Sequence, residues 1–222
     1  MTTTLITGAN RGIGFELARQ LKQAGHDIIA VCRQSSAELD ALGVRVEAGI
    51  DLTDGASLAE LTDRLSGTKI DLLINNAGVL RASSLADIED QLADFRLQYE
   101  VNALAPLRVT RALLGNLVDG GKLIIITSRM GSIADNTSGG QYAYRMSKAA
   151  VNTAGVSLAH ELKDRQIAVG LLHPGYVRTD MTGKTGHVDP DEAAANLIQR
   201  IEELSLATSG SFRHANGEAL PW

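Results

Sequence analysis

Tyr144 and Lys148 stand four residues apart in Tyr142-Ala-Tyr-Arg-Met-Ser-Lys148, at the head of a stretch with helical spacing. Residues at i and i+4 share one helical face, so a phenol and an ammonium can point into the same pocket. A free tyrosine, with a pKa near ~10, is a poor base at neutral pH. A fixed cation beside it favours the phenolate, which predicts a lowered pKa and an acid–base role. Tyr142 is six positions from Lys148, on a different face, and reads as pocket wall or surface.

Such a pair acts only where a scaffold holds it against a reactant, and the rest of the chain supplies the pattern of one. Residues 3–7 read as a short buried strand that runs into Gly8-Ala-Asn-Arg-Gly12-Ile-Gly14 and then into a segment apolar at 17, 18, 21 and 24. Strand, glycine turn and helix together are the context of dinucleotide binding: glycines let the backbone approach a pyrophosphate, and the helix N-terminus offers free N–H groups. Further strands are expected near 27–32, 44–48, 70–75, 121–127, 166–172 and 210–213. Helices are expected near 12–24, 36–41, 54–65, 90–118, 142–163 and 189–204, with Pro106 interrupting the fourth. This alternation predicts a single α/β domain spanning residues 1–222: a doubly wound, Rossmann-type parallel sheet of about seven strands with helices on both faces. Ligands of such sheets bind outside the carboxyl ends of the strands, where Asn75-Asn-Ala-Gly78 and Thr127-Ser128 should meet the glycine turn.

In this order the motifs resemble those of the short-chain dehydrogenase/reductase family. The family's Thr-Gly-x-x-x-Gly-x-Gly matches Thr7 to Gly14, its Asn-Asn-Ala-Gly matches 75–78, and its Tyr-x-x-x-Lys matches 144–148. Its Pro-Gly after the sixth strand matches His173-Pro-Gly-Tyr-Val-Arg-Thr179. Tyr142 to Lys148 and the ending Gly217-Glu-Ala-Leu-Pro-Trp222 are similar to the C-factor-like and carbonyl-reductase-like members. The resemblance implies hydride transfer between a nicotinamide cofactor and a carbonyl or alcohol. Tyr144 would be the general acid/base, and Lys148 would tune it and bind the ribose. Ser128 would orient the carbonyl oxygen, and Asn102, near a local helix irregularity, would hold a water of the proton relay. It also implies a cofactor site of Gly8, Asn10, Arg11, Gly12, Ile13, Gly14, Arg33, Asp51, Leu52, Asn75, Ala77, Gly78, Tyr144, Lys148, Pro174, Gly175, Val177 and Thr179.

Several assignments have rivals. Ser128 precedes Tyr144 by more than the family's usual spacing, and Ser132 and Ser138 compete with it; Ser128 is preferred because it ends a strand. Asp51 is either a turn cap or, as in the family, an adenine contact. The end of the second strand carries Cys32 and Arg33 where an NAD-preferring site needs an acid. Arg33, with Arg11 in the glycine turn, can grip a 2′-phosphate, so NADP(H) is expected over NAD(H), although either arginine alone reads as a solvated charge. Met130, Ile133, Tyr176 and Met181 are candidate substrate walls beneath a short 181–187 loop. A signalling or nucleotide-sensing protein is the rival function, disfavoured because Asn102, Ser128, Tyr144 and Lys148 are all present.

A net charge of −5 argues against general nucleic-acid binding, and no apolar run is long enough for a membrane span. One cysteine and no leader pattern suit a reducing cytoplasm. His160 and His173 have no ligating neighbours at metal spacing, so no metal site is expected. The small residues Ala149, Ala150, Thr153, Ala154 and Ser157, together with the resemblance, predict a homodimer through helices 90–118 and 142–163.

Overall fold

The computed structural model describes residues 1–222. Seven parallel strands form one sheet in the order β3-β2-β1-β4-β5-β6-β7. They are β1 (Thr3–Thr7), β2 (Asp27–Val31), β3 (Arg45–Glu47), β4 (Ile70–Asn75), β5 (Leu117–Ile126), β6 (Ala168–His173) and β7 (Ser211–His214). The helices are α1 (Gly12–Gln23), α2 (Ala37–Ala41), α3 (Gly55–Arg64), α4 (Leu92–Tyr99), α5 (Ala105–Ala112), α6 (Tyr142–Glu161) and α7 (Pro190–Glu203).

Strand side chains alternate between two cores. Leu5, Leu73, Leu123, Ile125 and Val169 pack with Leu58, Leu61, Val109, Val151 and Leu158 from α3, α5 and α6. Ile6, Leu72, Ile74, Ile124 and Ile126 pack with Leu17, Leu21, Leu39, Leu197 and Ile201 from α1, α2 and α7. Burial on both faces is why these strands read as continuous apolar runs. Strand order reverses between β1 and β4, so the loops after them splay apart and open a crevice at that point.

The segment expected as one helix over 90–118 is three pieces and a strand. A π-helical turn, Glu100–Leu104, separates α4 from α5, and Pro106, which lacks an N–H, sits in the first turn of α5. The chain then leaves helix, and Leu117 already pairs with Ile70 in the sheet. A register irregularity between Ile70 and Leu72 absorbs the extra residues, and Gly120 takes φ +81 there. No helix is long and apolar enough to cross a membrane.

Candidate active site

α6 begins directly at Tyr142 and carries Tyr144 and Lys148 on the face turned to the carboxyl end of β5. Lys148 is buried, and its Nζ donates to the Ile126 carbonyl at 3.0 Å and lies 5.8 Å from the Tyr144 ring centroid. The Ser128 side chain, at the end of β5, stands beside the Tyr144 phenol and favours its ionised form. Burial pushes the phenol up to about 12, and the neighbouring Ser128 hydroxyl offsets only part of that. Burial likewise lowers Lys148 to about 8. The lowered tyrosine pKa expected from the sequence is therefore corrected: desolvation outweighs the nearby ammonium, which is itself desolvated. At neutral pH Tyr144 is a proton donor and Lys148 a cation.

Ser132 is taken up elsewhere, donating to the Trp222 carbonyl at 3.0 Å and accepting from the Asp135 N–H. Ser138 accepts from Arg145 on the surface. Of the three serines, Ser128 alone meets the phenol. Asn102 projects inward from the π-helical turn, which brings it to the site although the regular helix would not. Its Oδ1 accepts from Val79 N at 2.8 Å, and its Nδ2 donates to Val79 O at 2.9 Å and to Ser147 Oγ at 3.0 Å. This makes Asn102 a clamp between the segment after β4 and α6, with its amide taken up by protein groups. Ser147 completes the clamp by donating to the Tyr144 carbonyl at 2.8 Å. Ser147 was not singled out in the sequence; its position between Tyr144 and Lys148 was the available signal.

Facing this cluster is a backbone cradle. Gly8 takes φ +67, and a Cβ at Gly14 would stand 2.2 Å from the Gly8 carbonyl oxygen, so the turn closes onto α1 only with glycine. Arg11 caps α1 with no side-chain bond, leaving the first N–H groups pointed outward beside Gly12 and Ile13. Asn10 is half-buried on the same turn. The cradle is pinned by Thr7, whose Oγ1 accepts from Asn76 N and Ala77 N, and by Asn76, whose Nδ2 donates to the Thr7 and Gly8 carbonyls. Asn75 is the residue expected here from the sequence. Strand alternation instead turns Asn75 inward, where its amide reaches Thr110 at 3.4 Å, and brings Asn76 to the turn. Gly78 continues the rim: a Cβ there would meet Asn102 Oδ1 at 3.3 Å and Lys148 Nζ at 3.8 Å.

The rest of the expected cofactor set lies around the cradle. Thr179 packs its methyl over Gly12, and Arg11 lies 3.8 Å from Asp180. Pro174 and Gly175 follow β6, Val177 is buried, and Leu52 packs on the core below. Asp51 accepts from the Thr53 N–H and hydroxyl, which hold its carboxyl below the usual range with help from the Arg33 and Arg108 charges. Arg33 is exposed, whereas Cys32 is buried and its thiol pKa is raised by burial. Bare N–H groups, a glycine-lined turn and two exposed arginines fit a phosphorylated dinucleotide.

Of the candidate walls, Met130 is half-buried and Ile133, Tyr176 and Met181 are exposed. The loop above them is stapled to itself: the Thr182 hydroxyl bonds the Val177, Thr179 and Thr185 carbonyls, and Tyr176 bonds Thr185. His173, beside the cluster, is lowered to about 3 by burial, then by the charges of His214, Arg129 and Lys148, and so is neutral.

Residues 2–189 match the short chain dehydrogenase family. The chain is 43% identical over 228 residues, all of both proteins, to 1-hydroxy-2-glutathionyl-2-methyl-3-butene dehydrogenase of Rhodococcus sp. strain AD45. It is 42% identical to C-signal of Myxococcus xanthus over 156 residues, 69% of this chain and 93% of that protein. The NADPH-bound carbonyl reductase from chicken fatty liver superposes with a TM-score of 0.89 at 29% identity, covering 100% of this chain and 99% of the other. A carbonyl reductase from Pseudomonas aeruginosa PAO1 in complex with NADP gives 0.85 at 34% identity, with 100% of both chains covered.

Proposed function

The chain belongs to the short chain dehydrogenase family, and from that premise we propose that it is an NADP(H)-dependent oxidoreductase interconverting a carbonyl compound and its alcohol. The observation that carries this reading is the Ser128–Tyr144–Lys148 cluster, in which Ser128 and Lys148 are buried and Tyr144 is half-buried. It lies at the strand ends that face the glycine cradle, beside a second strand that ends without an acid. Bound in the cradle, the nicotinamide cofactor supplies or accepts the hydride. In reduction, Tyr144 gives its proton to the carbonyl oxygen as negative charge develops there, and Ser128 holds that oxygen by hydrogen bond. Lys148 sets a positive field beneath the phenol, binds the ribose and returns a proton to the Tyr144 phenolate by a relay that runs past Asn102. In oxidation, Tyr144 takes the proton back.

The full-length likeness to the Rhodococcus enzyme makes an alcohol whose neighbouring carbon bears a thioether, such as a glutathione conjugate, the first substrate to try. Small-molecule turnover, a homodimer built on α4, α5 and α6, and a cytoplasmic location complete the reading. A second reading, in which the dinucleotide fold signals with little turnover, is favoured by the likeness to C-signal.

One experiment separates the two. Carbonyls and alcohols are screened at the nicotinamide absorbance with each cofactor, for the unmodified protein and Tyr144→Phe. The phenylalanine keeps the ring and removes the ionisable oxygen, so turnover should fall by about 10²-fold or more while cofactor binding stays. Turnover that survives in Tyr144→Phe would end the proposed mechanism.

A further inference from the structure

We propose that Trp222 is a positioning residue for Ser128, acting through a strap formed by residues 218–222. The inference rests on the role given to Ser128 above. After β7 the chain doubles back: Arg213 bridges Ala219 in antiparallel sense, His214 N donates to the Glu218 carbonyl at 2.9 Å, and Leu220 N donates to the Phe212 carbonyl at 2.9 Å. Leu220 buries itself against Phe212 and Leu171, and the Trp222 indole stacks on Phe212 with centroids 5.3 Å apart and planes 25° from parallel. This seating carries the Trp222 carbonyl oxygen across to the loop that follows β5. There it accepts two hydrogen bonds, from Ala134 N at 2.8 Å and from Ser132 Oγ at 3.0 Å.

That loop carries the substrate-orienting serine at its start. Ser128 Oγ accepts from Met130 N at 3.1 Å, so the serine's rotamer and the turn Arg129–Gly131 are fixed together. Gly131 wedges the turn against α6 so closely that a Cβ would stand 2.7 Å from the Lys148 carbonyl carbon. At its other end the loop is held partly by its own bonds, Asp135 N to Ser132 Oγ and the Arg129–Asp135 pair, and partly from outside by the strap. Arg129 pairs with Asp135 at 2.7 Å and with Glu218 of the strap at 3.4 Å, and the strap carbonyl holds Ser132 and Ala134. Ile133, between those two anchors, is 81% exposed and packs on nothing that could substitute. With its one large apolar side chain exposed, the loop depends on polar anchors for its order, and the strap supplies the Glu218 pair and both bonds to the Trp222 carbonyl. Losing the strap therefore loosens Ser128 relative to Tyr144 while leaving the glycine cradle at the far side of the crevice as it was.

The test compares the unmodified protein with Trp222→Ala, Trp222→Phe and Ser132→Ala. Phenylalanine retains a ring to stack on Phe212, and Ser132→Ala removes one of the two bonds to the Trp222 carbonyl, together with the bond from Asp135 N, without changing a strap residue. Trp222→Ala should lower kcat by about 10- to 100-fold, the scale expected for misplacing a reacting group, with NADPH affinity changed less than about 2-fold. Ser132→Ala should fall between, and Trp222→Phe should recover most of the loss. Hydrogen exchange is read in parallel over 128–136. The Ala134 amide should lose protection in Trp222→Ala and keep it in Trp222→Phe.

Unchanged exchange in Trp222→Ala would overturn the proposal. So would equal losses of kcat and NADPH affinity, or a phenylalanine variant as impaired as the alanine one. If the unmodified protein reduces no carbonyl compound, the oxidoreductase reading falls, and exchange at Ala134 still decides whether the strap holds the loop.

Discussion

Replacing Lys148 with methionine should stabilise the protein at neutral pH while destroying its activity. The ammonium is 5% exposed, and burial lowers its pKa from 10.5 to about 8. At 1.36 kcal/mol per pKa step, holding the charge in the fold costs about 3 kcal/mol at pH 7. The penalty is present in full below pH 8, where folded and unfolded chains both carry the proton. Between about 8 and 10.5 the folded chain has shed it and the unfolded chain has not, so stability rises with pH. Above 10.5 the penalty is gone. Methionine fills similar volume without charge but leaves the Ile126 carbonyl, 3.0 Å from Nζ, without its donor, which returns about 1 to 2 kcal/mol. Lys148→Met should therefore be more stable than the unmodified protein by about 1 to 2 kcal/mol at pH 7, or about 2 to 8 °C in Tm for a chain of this length. Near pH 10.5 the order should invert. Urea unfolding of both proteins at pH 7 and pH 10 measures the difference, in which other titrating groups cancel. A variant less stable at pH 7, or a gap that does not change with pH, would refute the reasoning. Turnover and cofactor affinity should both drop, because the same ammonium serves phenol and ribose.

The pH dependence of reduction should show one alkaline limb. Lys148 loses its proton near 8 while Tyr144, near 12, keeps its own, so kcat/KM should fall above about pH 8; a rate that rises through that range contradicts the assignment. Cofactor choice should follow the end of β2: Cys32→Asp with Arg33→Ala should move the preference from NADP(H) to NAD(H), since an acid repels the 2′-phosphate and accepts the ribose hydroxyls. Titration showing NADH bound as tightly as NADPH by the unmodified protein would sink that. Leu97, Tyr99, Thr153 and Ser157 are exposed on α4 and α6, and a homodimer should cover them. Light scattering that gives a monomer at micromolar concentration counts against it.

The local features of this chain were legible in the sequence because they depend on local rules. Apolar runs bounded by glycine turns gave strands at 3–7 and 70–75 with the ends the structure has. The i, i+4 spacing put Tyr144 and Lys148 on one face of α6, and the glycine turn required glycine because its own backbone closes on itself at Gly8 and Gly14. What tertiary structure decided depends on partners far along the chain. Asn75 and Asn76 are neighbours of identical chemistry. Only the register of β4 against β1 sends one to Thr110 and the other to Thr7, 69 residues away. Strand position favoured Ser128 over Ser132 in the sequence, but what occupies the rival hydroxyl is Trp222, 90 residues on. The irregularity that the resemblance implied near Asn102 is a π-helical turn at Glu100–Leu104, and the inward asparagine is held by Val79 and Ser147, which no local pattern couples to it. The Tyr144 pKa moved opposite to the expectation because a pair spacing specifies a neighbour's charge but not how much water the fold removes from both. Desolvation is a property of the whole packed crevice, and it sets the protonation states with which the chemistry begins.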